Sequence, residues 1–200
     1  MLFVGINPGV RSALTGHHFA GYSNRFWRLL HEAGLVPRPA TCVDDVCLPD
    51  WGYGITNLVA RPSPGIDELK PAEYTDARDA LLRKILRYAP EVVALVGVTL
   101  HRALFPERGK APIALGPQDE WLGGARVFVL PNPSGRNANY SYAEMLAAFR
   151  GLRPAALKGC ALPAAVRGRA TSSSLRASAS RASSPPRTRS RAASRAGRRG

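Results

Sequence analysis

Four short apolar runs rich in β-branched residues, at residues 1–6, 53–59, 91–96 and 126–130, constrain this chain more than any other feature. Strands that are apolar almost without a break must be shielded on both faces, which is the situation of a parallel sheet flanked by helices. Helical spacing fills the intervals. Phe26, Trp27, Leu29, Leu30 and Ala33 recur every three to four positions, with Ser23 placed to cap the start and Gly34 the end. Thr75, Asp76 and Asp79 suit the start of a second helix, whose Ala77, Leu81, Ile85 and Tyr88 share a face before Pro90. A short helix fits residues 99–105, and the S-x-x-E spacing of Ser141 and Glu144 caps a last one that runs through Met145, Leu146, Phe149 and Leu152. The alternation predicts a three-layer α/β/α sandwich around a mainly parallel four-stranded sheet.

The chain carries a formal charge of +14 over 200 residues, and its distribution divides the molecule. Residues 1–150 hold 16 Lys and Arg against 14 Asp and Glu, whereas residues 151–200 hold 12 against none. From about Ala155 the composition turns to Ala, Ser, Arg and Pro, too poor in large apolar groups to offset chain entropy. One domain over residues 1–154 and a disordered basic tail over 155–200 are therefore expected. The abruptness of that change is what a shifted reading frame would produce, and Met1 lying inside the first apolar run is what a misplaced translation start would produce. Cys42, Cys47 and Cys160 form no C-x-x-C pair and no even framework, which suits a reduced compartment. A bacterial cytoplasm, with the protein on the nucleoid, is the expected setting. No stretch approaches the roughly 20 apolar residues of a membrane span, so no membrane partner is expected.

In open parallel sheets ligands bind beyond the carboxyl ends of the strands. Three loops there are unusual: Gly5-Ile6-Asn7-Pro8-Gly9, Ala60-Arg61-Pro62-Ser63-Pro64-Gly65, and Pro131-Asn132-Pro133-Ser134-Gly135-Arg136-Asn137. Pro8 keeps Asn7 out of the helical region, and Gly9 permits a turn, so the Asn7 amide is expected to project into a cleft. Asn132-Pro133 repeats that device at another strand end.

These motifs resemble the mismatch-specific uracil and thymine DNA glycosylases, within the uracil-DNA glycosylase superfamily. Gly5-Ile6-Asn7-Pro8-Gly9 is similar to the family's first motif and Asn132-Pro133-Ser134-Gly135 to its second. Thr15-Gly16, Phe19-Ala20, Asn24-Arg25-Phe26-Trp27, Gly54-Ile55-Thr56-Asn57-Leu58-Val59 and Arg61-Pro62 follow in matching order. The resemblance implies that fold, and a glycosylase that flips uracil or a damaged pyrimidine from a G·U, and by extension G·T, mismatch and hydrolyses its N-glycosidic bond during base excision repair. It implies Asn7 as the group that positions water, Phe19 as the stacking partner of the base, and Asn57 as a contact to its edge. Ile6 belongs with them, and Ser12 stands where the family senses the pyrimidine 5-position. Asn132, Ser134, Gly135 and Arg136 would meet the DNA, the last two entering the gap left in the duplex. Arg136 stands where bacterial relatives often place leucine and the thymine-acting branch places arginine.

Residue chemistry fits a monofunctional hydrolase without a cofactor. The candidate loops hold no lysine for a Schiff base, and Asn7 can orient water without taking its proton. His17 and His18 are neighbours without metal-ligand spacing to His31 or His101, so no metal is expected. Ser134 lacks a G-x-S-x-G elbow. The expected partner is double-stranded DNA containing G·U or a related mismatch, met by a monomer. A non-catalytic DNA-binding module and a nucleotide-binding α/β protein are the competing readings. The second lacks both G-x-G-x-x-G and the G-x-x-x-x-G-K-[ST] phosphate loop.

Overall fold

Alternation of side chains along the strands sets the layers. In β1 (Leu2–Gly5), Phe3 turns to one face while Leu2 and Val4 turn to the other, and each joins a different buried cluster. The computed structural model describes residues 1–153, so the expected boundary at 154/155 and the basic tail lie outside the described residues. β2 (Gly54–Asn57), β3 (Val92–Val96) and β5 (Ala125–Leu130) run parallel to β1 in the order β2-β1-β3-β5. Phe3, Ala94, Val96, Phe128 and Leu130 pack under α2 (Phe26–Glu32) and α5 (Tyr142–Arg150). Val4, Val93, Leu95 and Val127 pack under α3 (Pro71–Tyr88) and α4 (Val98–Leu104). The three-layer α/β/α architecture expected from the sequence is the one observed.

The sheet has five strands rather than four. β4 (Gly116–Leu122) pairs antiparallel with β5 at the edge, through a turn in which Gly123 and Gly124 both take positive φ. Its residues Pro117, Gln118, Asp119 and Glu120 carry no apolar run, because an edge strand with one face toward water does not require it. Two helix starts also differ. α3 begins at Pro71, four residues before Thr75, because Pro71 suits the first helical position and the Glu73 carboxylate accepts from Lys70 N–H. α2 begins at Phe26, where Asn24 Oδ1 accepts from Phe26 N–H, and Ser23 does not cap it. Residues 10–15, to which the sequence assigned no element, form the short helix α1 (Val10–Thr15). No helix among the described residues is long and apolar enough to cross a membrane.

β1 lies between β2 and β3, so the segment leaving β1 leads to α2 on one face while that leaving β3 leads to α4 on the other. This divergence opens a crevice beyond the carboxyl end of β1, where Asn7 follows.

Candidate active site

The backbone at Gly5 is the floor of the crevice. A methyl group there would collide with Asn57 Oδ1 and lie 3.2 Å from Phe19 Cζ, so these two side chains, 38 positions apart, converge over one glycine. Gly5 and Asn57 are register partners in β1 and β2, which brings the Asn57 amide across the strand pair. Phe19 arrives from the loop after α1 with φ of 51°, a left-handed backbone that is uncommon for an aromatic residue. Its ring stacks on Phe26 at 4.1 Å between centroids, and Phe26, fully buried, meets Phe3 and Phe149 edge-on. Phe19 is thus the outer rung of an aromatic ladder rooted in the core.

Several contacts hold the Phe19 backbone in that conformation. Ala20 N–H donates to Ser12 Oγ at 3.0 Å, and Ala20 C=O accepts from Arg11 Nε at 2.8 Å. On the other side of Phe19, Asp45 accepts from His18 N–H at 3.0 Å, and His17 Nδ1 and His18 Nδ1 lie 3.0 and 3.2 Å from its two oxygens. Burial pushes the Asp45 carboxyl up, but the His18 N–H and the two imidazoles outweigh this, leaving it below the usual carboxylate range. Both histidines expected to lack metal spacing are thus turned toward Asp45. Ser12, assigned above to the pyrimidine 5-position, commits its acceptor side to this loop.

Asn7 is held by the loop after β2. Its Nδ2 donates to Ser63 Oγ at 2.9 Å, to Pro8 O at 3.1 Å and, at 3.4 Å, to Arg61 O. Carbonyl oxygens only accept, so the two carbonyls fix which end of the amide is nitrogen and leave Oδ1 as its acceptor face. Ser63 is buried; its N–H donates to Pro8 O, and its hydroxyl donates to Gly65 O. Arg61 in turn makes a two-pronged ion pair with Glu73, Nε to Oε1 at 2.8 Å and a terminal nitrogen to Oε2 at 3.1 Å. Together with Lys70 N–H, that guanidinium holds the Glu73 carboxyl at a pKa of about 2.

The loop after β5 braces itself by side-chain turns. Asn132 Oδ1 accepts from Ser134 N–H, Ser134 Oγ from Arg136 N–H, and Asn137 Nδ2 donates back to Asn132 O at 2.7 Å. Ile6, Asn132, Ser134 and Arg136 line a cavity of about 370 Å³ with Gly97 and Thr99, where β3 passes into α4. Arg136 is exposed, and no hydrogen bond or ion pair of its guanidinium is seen among the described residues. Gly135 faces inward instead: a methyl group on it would lie 2.5 Å from Ser23 Cβ and 2.8 Å from Ser23 O. Arg25 N–H donates to Pro133 O at 2.9 Å beside that contact. The structure therefore separates the two residues assigned to the duplex gap, Arg136 projecting outward and Gly135 seating the loop.

Sequence reasoning brought Asn7, Phe19, Asn57 and the Asn132–Arg136 loop to one edge, where they lie. It missed Ser63 and the Arg61–Glu73 pair, which hold Asn7, and Asp45, which holds the Phe19 loop. The signal for Ser63 was its position between two prolines ahead of a glycine, a rigid setting for a side chain with a fixed task.

A family model described as the uracil DNA glycosylase superfamily matches residues 1–153. A G/U mismatch-specific uracil DNA glycosylase of Schizosaccharomyces pombe is 40% identical over 147 residues, covering 70% of this chain and 45% of the relative. This chain thus spans less than half the length of that relative. With the motif loops in place at the carboxyl edge of the sheet and the match running through every described residue, the chain belongs to the uracil DNA glycosylase superfamily.

Proposed function

We propose that this protein is a monofunctional glycosylase that removes uracil, or a related damaged pyrimidine, from a G·U mismatch in double-stranded DNA and leaves an abasic site for base excision repair. The observation that carries the reading is the Asn7 amide, whose nitrogen is taken up by Pro8, Arg61 and Ser63 and whose oxygen is left as an acceptor two residues beyond the Gly5 floor. Superfamily membership and the likeness to the fission yeast enzyme support it.

A base inside a duplex keeps its sugar bond out of reach, so the target nucleotide is extruded at a cost of a few kcal/mol, least for a mispaired base. The extruded ring enters between Phe19 and the Asn57 amide, above Gly5. Asn7 Oδ1 accepts a hydrogen bond from a water and aims its oxygen at the anomeric carbon. As the N-glycosidic bond breaks, its electron pair leaves with the base as an anion, the water oxygen bonds to the sugar carbon, and the water's proton passes to solvent. Asn7 has no ionisable group, so the rate comes from positioning and from backbone donors facing the departing base. Arg136 occupies the vacated stack, its planar guanidinium able to stack and donate together. The protein acts as a monomer.

The test pairs binding with chemistry on one G·U duplex, with alkali used to cleave any abasic product. Strand scission supports the glycosylase. Retarded migration without scission would make the protein a DNA-binding module, and neither would favour the nucleotide-binding reading. Asn7→Ala is expected to bind the duplex normally and to release uracil at least ~100-fold more slowly in a single turnover, the scale of a lost positioning group. Normal binding with near-normal release would remove Asn7 from the role.

A further inference from the structure

The Arg61 side chain is half exposed at the rim of the crevice, where an arginine is ordinarily expected to meet a phosphate. Its Nε and one terminal nitrogen are already committed. Nε and a terminal nitrogen grip both oxygens of Glu73, and the same terminal nitrogen donates to Glu68 O at 2.9 Å. Glu73 is equally committed, since Oε2 also accepts from Lys70 N–H at the start of α3. That helix is rooted in the core through Leu81 and Ile85, both buried. The pair thus ties the loop after β2 to an element that does not depend on the site.

What the loop carries gives the tie its consequence. Arg61 O and Ser63 Oγ are two of the three acceptors that set the Asn7 amide, and Ser63 N–H holds Pro8 O. Apart from the Arg61 bond to Glu68 O, the other described hydrogen bonds of residues 61–65 run within the loop or to the Asn7–Pro8 turn itself. Without the pair, the loop that orients Asn7 would be anchored chiefly to the turn it is meant to orient.

We infer that Arg61 and Glu73 are positioning residues for excision: their ion pair, fixed to α3, holds the Arg61 carbonyl and Ser63 hydroxyl that aim Asn7. The inference rests on the reading of Asn7 as the group that orients the water. A two-pronged guanidinium–carboxylate geometry fixes direction as well as distance, which one point charge does not. Small displacements of a positioned group weigh heavily on rate, and an exposed pair adds little to stability, so the two effects separate.

The experiment uses the full chain with Glu73→Gln, which keeps an acceptor for Lys70 N–H but loses the charge, and Arg61→Lys, which keeps the charge but loses the fork. Single-turnover release of uracil from a G·U duplex is measured at saturating enzyme, with duplex affinity and thermal melting recorded alongside. Each variant is expected to slow release about 10-fold with affinity within about twofold of the parent. The deciding measurement is the cycle with Asn7→Ala. If the pair acts through Asn7, adding Glu73→Gln to Asn7→Ala slows release no further. An equal factor lost in both backgrounds, or release within twofold of the parent in both single variants, overturns the inference while leaving Asn7 in place. If Asn7→Ala itself releases uracil at the parent rate, the reading of Asn7 and the inference fall together, and the single variant alone reveals that case.

Discussion

Replacing Gly5 with alanine adds one methyl group where the base is proposed to sit. Gly5 lies in β1 with ordinary extended backbone, absent from the glycines that need positive φ, so alanine meets no backbone strain there. The methyl collides with Asn57 Oδ1 and stands 3.2 Å from Phe19 Cζ. The amide oxygen is the free end of a side chain and gives way, whereas Phe19 is backed by Phe26 at 4.1 Å and does not. For stability, the gain from removing a strand glycine and the cost of crowding nearly offset, leaving a change within about 1 kcal/mol. For excision, the proposed Asn57 contact to the base is displaced. A lost hydrogen bond that leaves a buried partner unmet costs about 1–3 kcal/mol, which is roughly 5- to 150-fold in rate. Single-turnover release of uracil from a G·U duplex, with a melting curve on the same sample, measures both. Gly5→Ala and Asn57→Ala are expected to fall in that range and, combined, to lose little more than either alone. A folded Gly5→Ala protein that releases uracil at the parent rate would show that the base does not enter above Gly5.

Three further outcomes follow from the same geometry. Arg136→Ala should weaken excision from duplex DNA by at least ~10-fold while sparing a uracil in single-stranded DNA, where no stack must be held open; equal losses on both substrates would reject the wedge role. Gly135→Ala sets a methyl 2.8 Å from the Ser23 carbonyl, a backbone atom that cannot swing aside, so the loop must lift; duplex excision should fall at least as far as in Arg136→Ala, and a parent-like rate would place the loop's seat elsewhere. Glu73 has its pKa depressed to about 2, first by the Arg61 hydrogen bonds and then by Lys70 N–H, so its contribution is complete above the unfolded carboxylate range, fades as pH falls below that range and is lost once pH has fallen through about 2. A carboxyl resonance for Glu73 titrating near pH 4 would show that the pair does not form in solution.

The layers were legible because their cause is local. Unbroken apolar strands and three-to-four spacing between them left few alternatives to a covered parallel sheet, and the capping box at Ser141 and Glu144 placed the start of α5. β4 was invisible for the same physical reason, since a polar edge strand carries neither signal and shows itself only through the Gly123-Gly124 turn. Asn7 could be placed at the edge because strand ends are readable, whereas Phe19 and Asn57 were implied by the family resemblance. Who holds them could not be read, because Ser63, Asp45 and Glu73 act across 56, 27 and 12 positions of chain, and such pairings have no period. Gly135 shows a structural use that its motif does not announce. A glycine in a motif reads as freedom to approach DNA, whereas its lack of a side chain serves a close approach to Ser23.

That approach has a mechanical consequence for how extrusion and capture relate. The Phe19 platform and the Arg136 loop come from sequence segments more than a hundred residues apart, yet residues 19–25 touch both. Phe19 rests on Phe26 at one end of that segment, and Ser23 and Arg25 hold Gly135 and Pro133 at the other. The segment passes directly into α2, whose Phe26, Leu29 and Leu30 are fully buried, so neither loop shifts far without disturbing the core. A wedge that entered the duplex independently of the platform would open a gap without presenting a place for the base. Through residues 19–25, the Arg136 loop and Phe19 are both braced against one buried helix. On the proposed reading, the step by which Arg136 fills the gap is also the step that brings the base over Gly5 and within reach of the water assigned to Asn7.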